Sequence, residues 1–190
     1  MGKIRIILIS LFIWCTSISI AFCNDLPKIY NFHHVDEGVY CGSWIKRESQ
    51  IKSLKELGID TIINLQAGGI FNIDGRIIKR ESKWAKKYNI KFNHVPISSI
   101  RLNRKNIEKT VVLLKAEKDK GRKIYFHCRL GDHRVGLLLA LYRMKYESWT
   151  LAEASKEMTS HWFHPFYYFY WKKFLSYYSD DMVKKPFRVD

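Results

Sequence analysis

Acidic residues are in short supply in this chain: 18 Asp and Glu stand against 33 Lys and Arg among 190 residues, a formal charge of +15. Such a field gathers anions and speeds their capture. Cysteine is scarcer still. Four are present, and Cys15 lies in an N-terminal apolar stretch, which leaves too few for a disulfide scaffold. His, Cys, Asp and Glu show no metal-ligand spacing, so neither a metal nor another cofactor is implied. No apolar run reaches the ~20 residues that cross a bilayer. Helix-turn-helix, zinc-finger and RNA-binding aromatic signatures are missing, which sets nucleic acid aside as a partner in spite of the charge. Nor is there a repeat, a low-complexity tract or an interior linker. What remains is one domain with enough chain for a proper core.

The first residues read as an export signal. Lys3 and Arg5 give a basic start, residues 6–15 are apolar apart from Ser10, and small residues follow. Ser19-Ile20-Ala21 suits cleavage after Ala21. A site as late as Cys23 fits less well, and Phe22 disfavours lipidation of Cys23. The expected organisation is a signal peptide over residues 1–21 and a single domain over residues 24–190, in a periplasmic or secreted location. An uncleaved membrane anchor is the alternative. Loss of the leader removes two basic residues, Lys3 and Arg5, so the exported chain stays strongly positive.

The segment richest in chemistry is residues 123–136, KIYFHCRLGDHRVG. A β-branched and aromatic run ends at Cys128, five residues follow, and Arg134 opens an apolar helix. Backbone N–H groups of a tight loop at a helix N-terminus point at an anion, and the helix dipole adds roughly half a positive charge. The same field favours a thiolate, taking a cysteine pKa from about 8.5 into the range of roughly 3.5–7.5. Arg134 can close the cup by gripping two phosphate oxygens at once. Gly131 stands where the backbone must approach a ligand. Cys128 is therefore the candidate nucleophile and Arg134 the candidate clamp. Arg129, Leu130, Gly131 and His133 line the loop.

This loop resembles the signature of the cysteine-dependent tyrosine and dual-specificity phosphatases, His-Cys-X5-Arg-Ser/Thr-Gly. Residues 37–43 (EGVYCGS) resemble the family's first strand and residues 57–65 (LGIDTIINL) its second with the preceding turn. Residues 140–144 and 152–154 resemble the helices after the loop in bacterial members. The likeness runs from about residue 37 to about residue 175. It implies a phosphoric monoester hydrolase that works through a cysteinyl-phosphate, with His127 shaping the loop by hydrogen bonding. Two departures stand out. Val135 replaces the family's Ser or Thr, whose hydroxyl helps the thiolate leave in the second step. No carboxylate occurs in residues 98–103, where the family's general acid belongs. Asp132, inside the loop, is the substitute acid or else a loop-stabilising carboxylate, and His133 is a weaker acid candidate. A pseudophosphatase that binds phosphate without turnover is the competing reading. A sulfur-transfer or arsenate-reducing enzyme is a third, which the flanking helices fit less well.

Other expectations follow along the chain. A helix is predicted over residues 43–57, a buried strand over 61–65, a loop over 66–75 and a helix after it. A strand at 92–97 follows, then a helix capped by Asn103. Thr150 and Glu153 make a capping box. The aromatic tail from Trp162 packs a last helix onto the domain or rests on a membrane interface beside Lys172 and Lys173. Strands alternating with helices predict an α/β domain: a small, mostly parallel sheet flanked by helices, with the loop at the C-terminal edge of the strands. Cys41 reads as a buried strand residue or as the partner of a reversible bridge to Cys128. Arg101 and Arg104 are candidates for extra substrate phosphates. The expected partners are phosphorylated small molecules, lipids or proteins, with inositol phosphates and phosphoinositides favoured over phosphotyrosine protein. Peripheral contact with an anionic membrane surface goes with them.

Overall fold

Residues 26–67, 73–98, 101–161, 171–176, 181, 185 and 187 are described by the computed structural model. The leader and its cleavage site lie outside these residues, as do positions 162–170 of the aromatic tail. Five strands form one sheet: β1 (His33–Asp36), β2 (Val39–Gly42), β3 (Thr61–Gln66), β4 (Lys91–Ile97) and β5 (Ile124–His127). Their order is β1-β2-β5-β3-β4, parallel except for β1, which runs antiparallel to β2 at the edge. The helices are α1 (Glu48–Glu56), α2 (Ile73–Lys87), α3 (Arg104–Asp119), α4 (His133–Tyr146) and α5 (Leu151–His161). None of the described helices is long and apolar enough to cross a membrane.

Side chains alternate across a strand, and the two faces of this sheet collect different helices. Ile62 and Tyr125 face Ile51 and Leu54 of α1 and Ala85 of α2. Ile63, Leu65, Ile124, Phe126 and Cys128 face Ile107, Val111 and Leu114 of α3 and the apolar run of α4. β3 and β5 are buried along their whole length, as strands covered on both faces must be. Trp171 and Leu175 are buried in the same cluster as α4, so this part of the tail packs onto the domain. Each parallel strand ends at the same edge, and β5, between β2 and β3, delivers Cys128 to its middle.

One expectation changes, and one strand was not foreseen. The predicted helix over 43–57 begins only at Glu48, because the backbone ahead of it is used elsewhere. Ser43 N–H donates to Tyr30 O at 3.0 Å and Trp44 N–H to Arg129 O at 3.4 Å. The helix starts where Gln50 Oε1 accepts from Lys46 and Arg47 N–H, at 2.8 and 3.1 Å. Edge strand β1, sequence HHVD, carried no apolar alternation to announce it. The caps at Asn103 and at Thr150 with Glu153 form as expected: Asn103 Oδ1 accepts from Asn106 N–H, and Glu153 and Thr150 bond reciprocally.

Candidate active site

Chain geometry puts the loop where the sheet ends and α4 begins. Cys128 is fully buried, and Gly131 N–H points at its Sγ from 3.2 Å. That contact is charge-assisted once the thiol ionises. α4 starts at His133, so its N-terminus faces the same space. Arg134, in the first turn, lays Nη1 against two strand-end carbonyls, Ile97 O at 3.3 Å and Leu65 O at 3.5 Å. The guanidinium is thereby anchored across β3 and β4, and its other donors are left for a ligand.

Gly131 is needed for a reason beyond the one its motif position suggests. Its φ is +77°, and a Cβ there would lie 2.4 Å from Gly42 C and 2.6 Å from Ser43 N. The close approach the structure shows is to the end of β2. Asn31 locks the same turn from outside: its Nδ2 donates to Gly131 O at 2.8 Å, and its Oδ1 lies 2.7 Å from His33 Nε2. Tyr125 hydroxyl donates to Ser43 O at 2.6 Å. The loop is therefore held by β2 and its flanks as well as by its own sequence.

Beneath the loop lies a buried polar network. His127 Nε2 donates to Glu81 Oε1 at 2.7 Å, both side chains fully buried, and His127 Nδ1 lies 3.2 Å from Cys128 O. Glu81 Oε2 accepts from Asn64 Nδ2 at 2.9 Å, and Asn64 Oδ1 accepts from Gln66 N–H at 2.8 Å. The network ties α2 and β3 to the residue that carries the nucleophile. Glu81, Asn64 and Asn31 have no place in the loop motif. Two of them left a trace in the sequence: Asn64 interrupts an apolar strand, and Glu81 falls on the apolar side of its helix.

The remaining candidates separate. Asp132 caps α4: Oδ1 accepts from His133 N–H at 2.6 Å and faces His133 Nδ1 at 2.8 Å. His133 stacks on Trp171 with centroids 6.2 Å apart. Arg129 and Leu130, in the loop, are exposed, and so is Arg101, in the segment after β4. Arg104 is not available to substrate in this arrangement, because Glu108 Oε1 takes its Nε at 2.7 Å and Asp181 takes its Nη1. Those two carboxylates also raise its pKa above the usual guanidinium value. Cys41 and Cys128 are both free thiols. Cys41 pairs in register with Phe126, which puts both sulfurs on one face of the sheet. Burial raises the Cys41 pKa far above the ordinary thiol range, with the Cys128 and Glu157 charges adding to it. Among the described residues no group of three or more His, Cys, Asp or Glu could hold a metal ion.

The family described as "Dual specificity phosphatase, catalytic domain" matches residues 39–179. The chain belongs to this family. Solved structures share the fold. The core catalytic domain of the PP-IP phosphatase SIW14 of S. cerevisiae, in complex with citrate, is 22% identical over 82% of this chain and 90% of that one, with a TM-score of 0.64. TpbA of P. aeruginosa is 16% identical over 82% and 89%, TM-score 0.63. PTPMT1 is 19% identical over 81% and 99%, TM-score 0.62. Sequence comparison with curated proteins gives no match. The phosphatase is a phosphoric monoester hydrolase of the tyrosine and dual-specificity kind. Val135, at the position where the family loop has Ser or Thr, is fully buried.

Proposed function

We propose that this phosphatase is exported to a periplasm or the exterior and hydrolyses phosphate monoesters through a cysteinyl-phosphate, with polyanionic substrates preferred over phosphotyrosine protein. The observation that carries the mechanism is Gly131 N–H on Cys128 Sγ beside the anchored Arg134. Cys128 attacks phosphorus in line, the ester oxygen leaves with a proton, and water then cleaves the S–P bond to release phosphate and restore the thiol. Loop N–H groups and the Arg134 guanidinium stabilise the equatorial oxygens as charge redistributes. Asp132 is the proton donor in this reading. Asparagine is as good a helix cap as aspartate, so Asp132→Asn removes the proton and keeps the cap. It slows alkyl phosphates more than aryl phosphates with acidic phenols. A uniform loss across leaving groups assigns Asp132 to the loop alone.

The preference for polyanions is supported by the +15 charge and by exposed cations at the mouth. Inositol phosphates, phosphoinositides and other phosphorylated lipids are the substrate classes it favours, with peripheral contact to an anionic membrane for the lipids. One neighbour is named a PP-IP phosphatase, and TpbA has been crystallised with pTyr. A second reading, phosphate binding without turnover, is favoured by Val135 and by the missing carboxylate in residues 98–103. Purified protein with an activated aryl phosphate separates the two. Sustained release that Cys128→Ser abolishes supports the phosphatase. A stoichiometric burst with no later release favours the second reading, and equal activity in Cys128→Ser defeats the cysteine mechanism.

A further inference from the structure

Trp44, Lys46 and Arg80 have no part in the chemistry described above, yet they join the rim of the catalytic loop. Trp44 N–H donates to Arg129 O at 3.4 Å. Its half-buried indole carries the Arg129 guanidinium 5.4 Å from the ring centroid and the Lys46 ammonium 5.5 Å from it. Arg80, from α2, reaches Lys46 O at 3.4 Å and lies over Trp84 at 4.9 Å. Attraction to the indole faces collects these cations, and no carboxylate among the described residues compensates their mutual repulsion. Lys46, Arg47, Arg80 and Arg129 are all exposed, and among the described residues none has a carboxylate partner. Glu48, the carboxylate next along the chain, is engaged by Lys87 at 2.6 Å and by Tyr88 at 3.2 Å.

Other prominent cations are neutralised. Arg104 is held by Glu108 and Asp181, Lys118 by Asp36, and Lys91 and Arg122 by Glu117. On the α1–α2 side of the loop, Lys46, Arg80 and Arg129 thus gather charge that no carboxylate among the described residues cancels. We propose that Lys46, Arg80 and Arg129, gathered about Trp44, form a second phosphate subsite that receives another phosphate of the molecule whose scissile phosphate sits over Cys128. The assignment rests on the phosphatase reading and narrows the substrate class to compact scaffolds with two or more phosphates. A soluble inositol polyphosphate and a phosphoinositide headgroup share that chemistry.

The test compares wild type with Lys46→Glu/Arg80→Glu and with a charge-matched control, Lys55→Glu/Lys109→Glu, whose exposed lysines lie on the far end of α1 and on α3. Substrates are inositol 1,4,5-trisphosphate, the same headgroup on phosphatidylinositol 4,5-bisphosphate vesicles, and inositol 1-phosphate. The kcat/KM ratio of trisphosphate over monophosphate falls about tenfold or more in the first variant and stays within about twofold in the control. Loss with the vesicle substrate alone assigns the subsite to lipid headgroups, and loss with the soluble one assigns it to free inositol phosphates. No fall relative to the monophosphate with either polyphosphate substrate, or an equal fall in the control, overturns the subsite and leaves the phosphatase standing. Should wild type hydrolyse none of the three, nor an aryl phosphate, the phosphatase reading fails. Calorimetric binding of the trisphosphate in a Cys128→Ser background then decides the subsite alone: weaker binding on adding Lys46→Glu/Arg80→Glu supports it, and equal binding overturns it. Lys46→Gln/Arg80→Gln repeats each comparison if the charge reversals disturb folding.

Discussion

Gly131→Ala, set beside Gly121→Ala, separates two costs that usually come together. Both glycines have positive φ, +77° and +68°, so each alanine meets the left-handed backbone penalty of about 1–2 kcal/mol. At Gly121 a Cβ has nothing within 4 Å, and that penalty is the whole effect. At Gly131 the Cβ would stand 2.4 Å from Gly42 C, 2.6 Å from Ser43 N and 2.7 Å from Gly42 O. These are backbone atoms of a paired strand end, unable to swing aside as a flexible side chain does. Overpacking of this kind adds about 1–3 kcal/mol or more. With about 2–4 °C of midpoint per kcal/mol for a domain this size, Gly121→Ala lowers Tm by about 2–8 °C and Gly131→Ala by about 4–20 °C. Activity separates them further. Relief of the overlap must push the loop away from β2, carrying an N–H off Cys128 Sγ, and a displacement of about 1 Å costs roughly 10² in rate. Calorimetry and kcat/KM on an aryl phosphate measure both. Equal Tm losses, or wild-type kcat/KM in Gly131→Ala, would refute the claim that the β2 backbone braces the loop.

Glu81→Ala strips the acceptor from His127 and Asn64 in a dry site. Stability then drops by about 3–5 kcal/mol, read as a Tm fall of roughly 6–20 °C, and an unchanged Tm would show that the network carries no weight. Arg134→Lys keeps the charge but loses the planar fork, in which Nη1 is held by Ile97 O and Leu65 O and the other donors can grip two phosphate oxygens. It lowers kcat/KM by about 10²–10³, and near-equal kinetics would place the guanidinium outside the reaction. Glu117 gives a pH test. Burial raises its pKa, but hydrogen bonds from Lys91, Arg122 and Thr61 prevail and bring it to about 2, below the ordinary 4.5. A depressed carboxyl stabilises the fold above its unfolded pKa and loses that contribution as pH falls. The Tm gap between wild type and Glu117→Gln is therefore constant above pH 4.5 and shrinks from there toward pH 2; a gap that widens on acidification contradicts the assignment.

Much of the fold was legible because it rests on local chemistry. β3 and β5 are short runs of apolar and β-branched residues, and Asn103, Thr150 and Glu153 are caps that act within a few positions of themselves. The loop is the strongest case. Cysteine after a strand and arginine at a helix start announce an anion cup through local backbone geometry, although distant residues brace it. Helix 43–57 failed for the opposite reason. Ser43 and Trp44 look available for a helix, but their N–H groups are taken by Tyr30 and Arg129, at 13 and 85 positions' separation, and no local pattern reports such partners.

Arg104 shows the same limit at the site. By sequence it stood level with Arg101 as a cation near the pocket, yet Asp181, 77 residues away, pairs with it. Lys46 and Arg80 drew no special notice in a chain with 33 basic residues, because what distinguishes them is their place about Trp44 beside Arg129 of the loop. The α/β class and the meeting of Cys128 and Arg134 in one loop were thus legible in the order of residues along the chain, since strand, loop and helix are neighbours there. Which cations stay uncancelled, what braces Gly131 and what lies beneath His127 were decided by tertiary structure. Each is a contact across the sheet or between helices, and Coulomb and steric energies depend on distance in space rather than on separation in sequence.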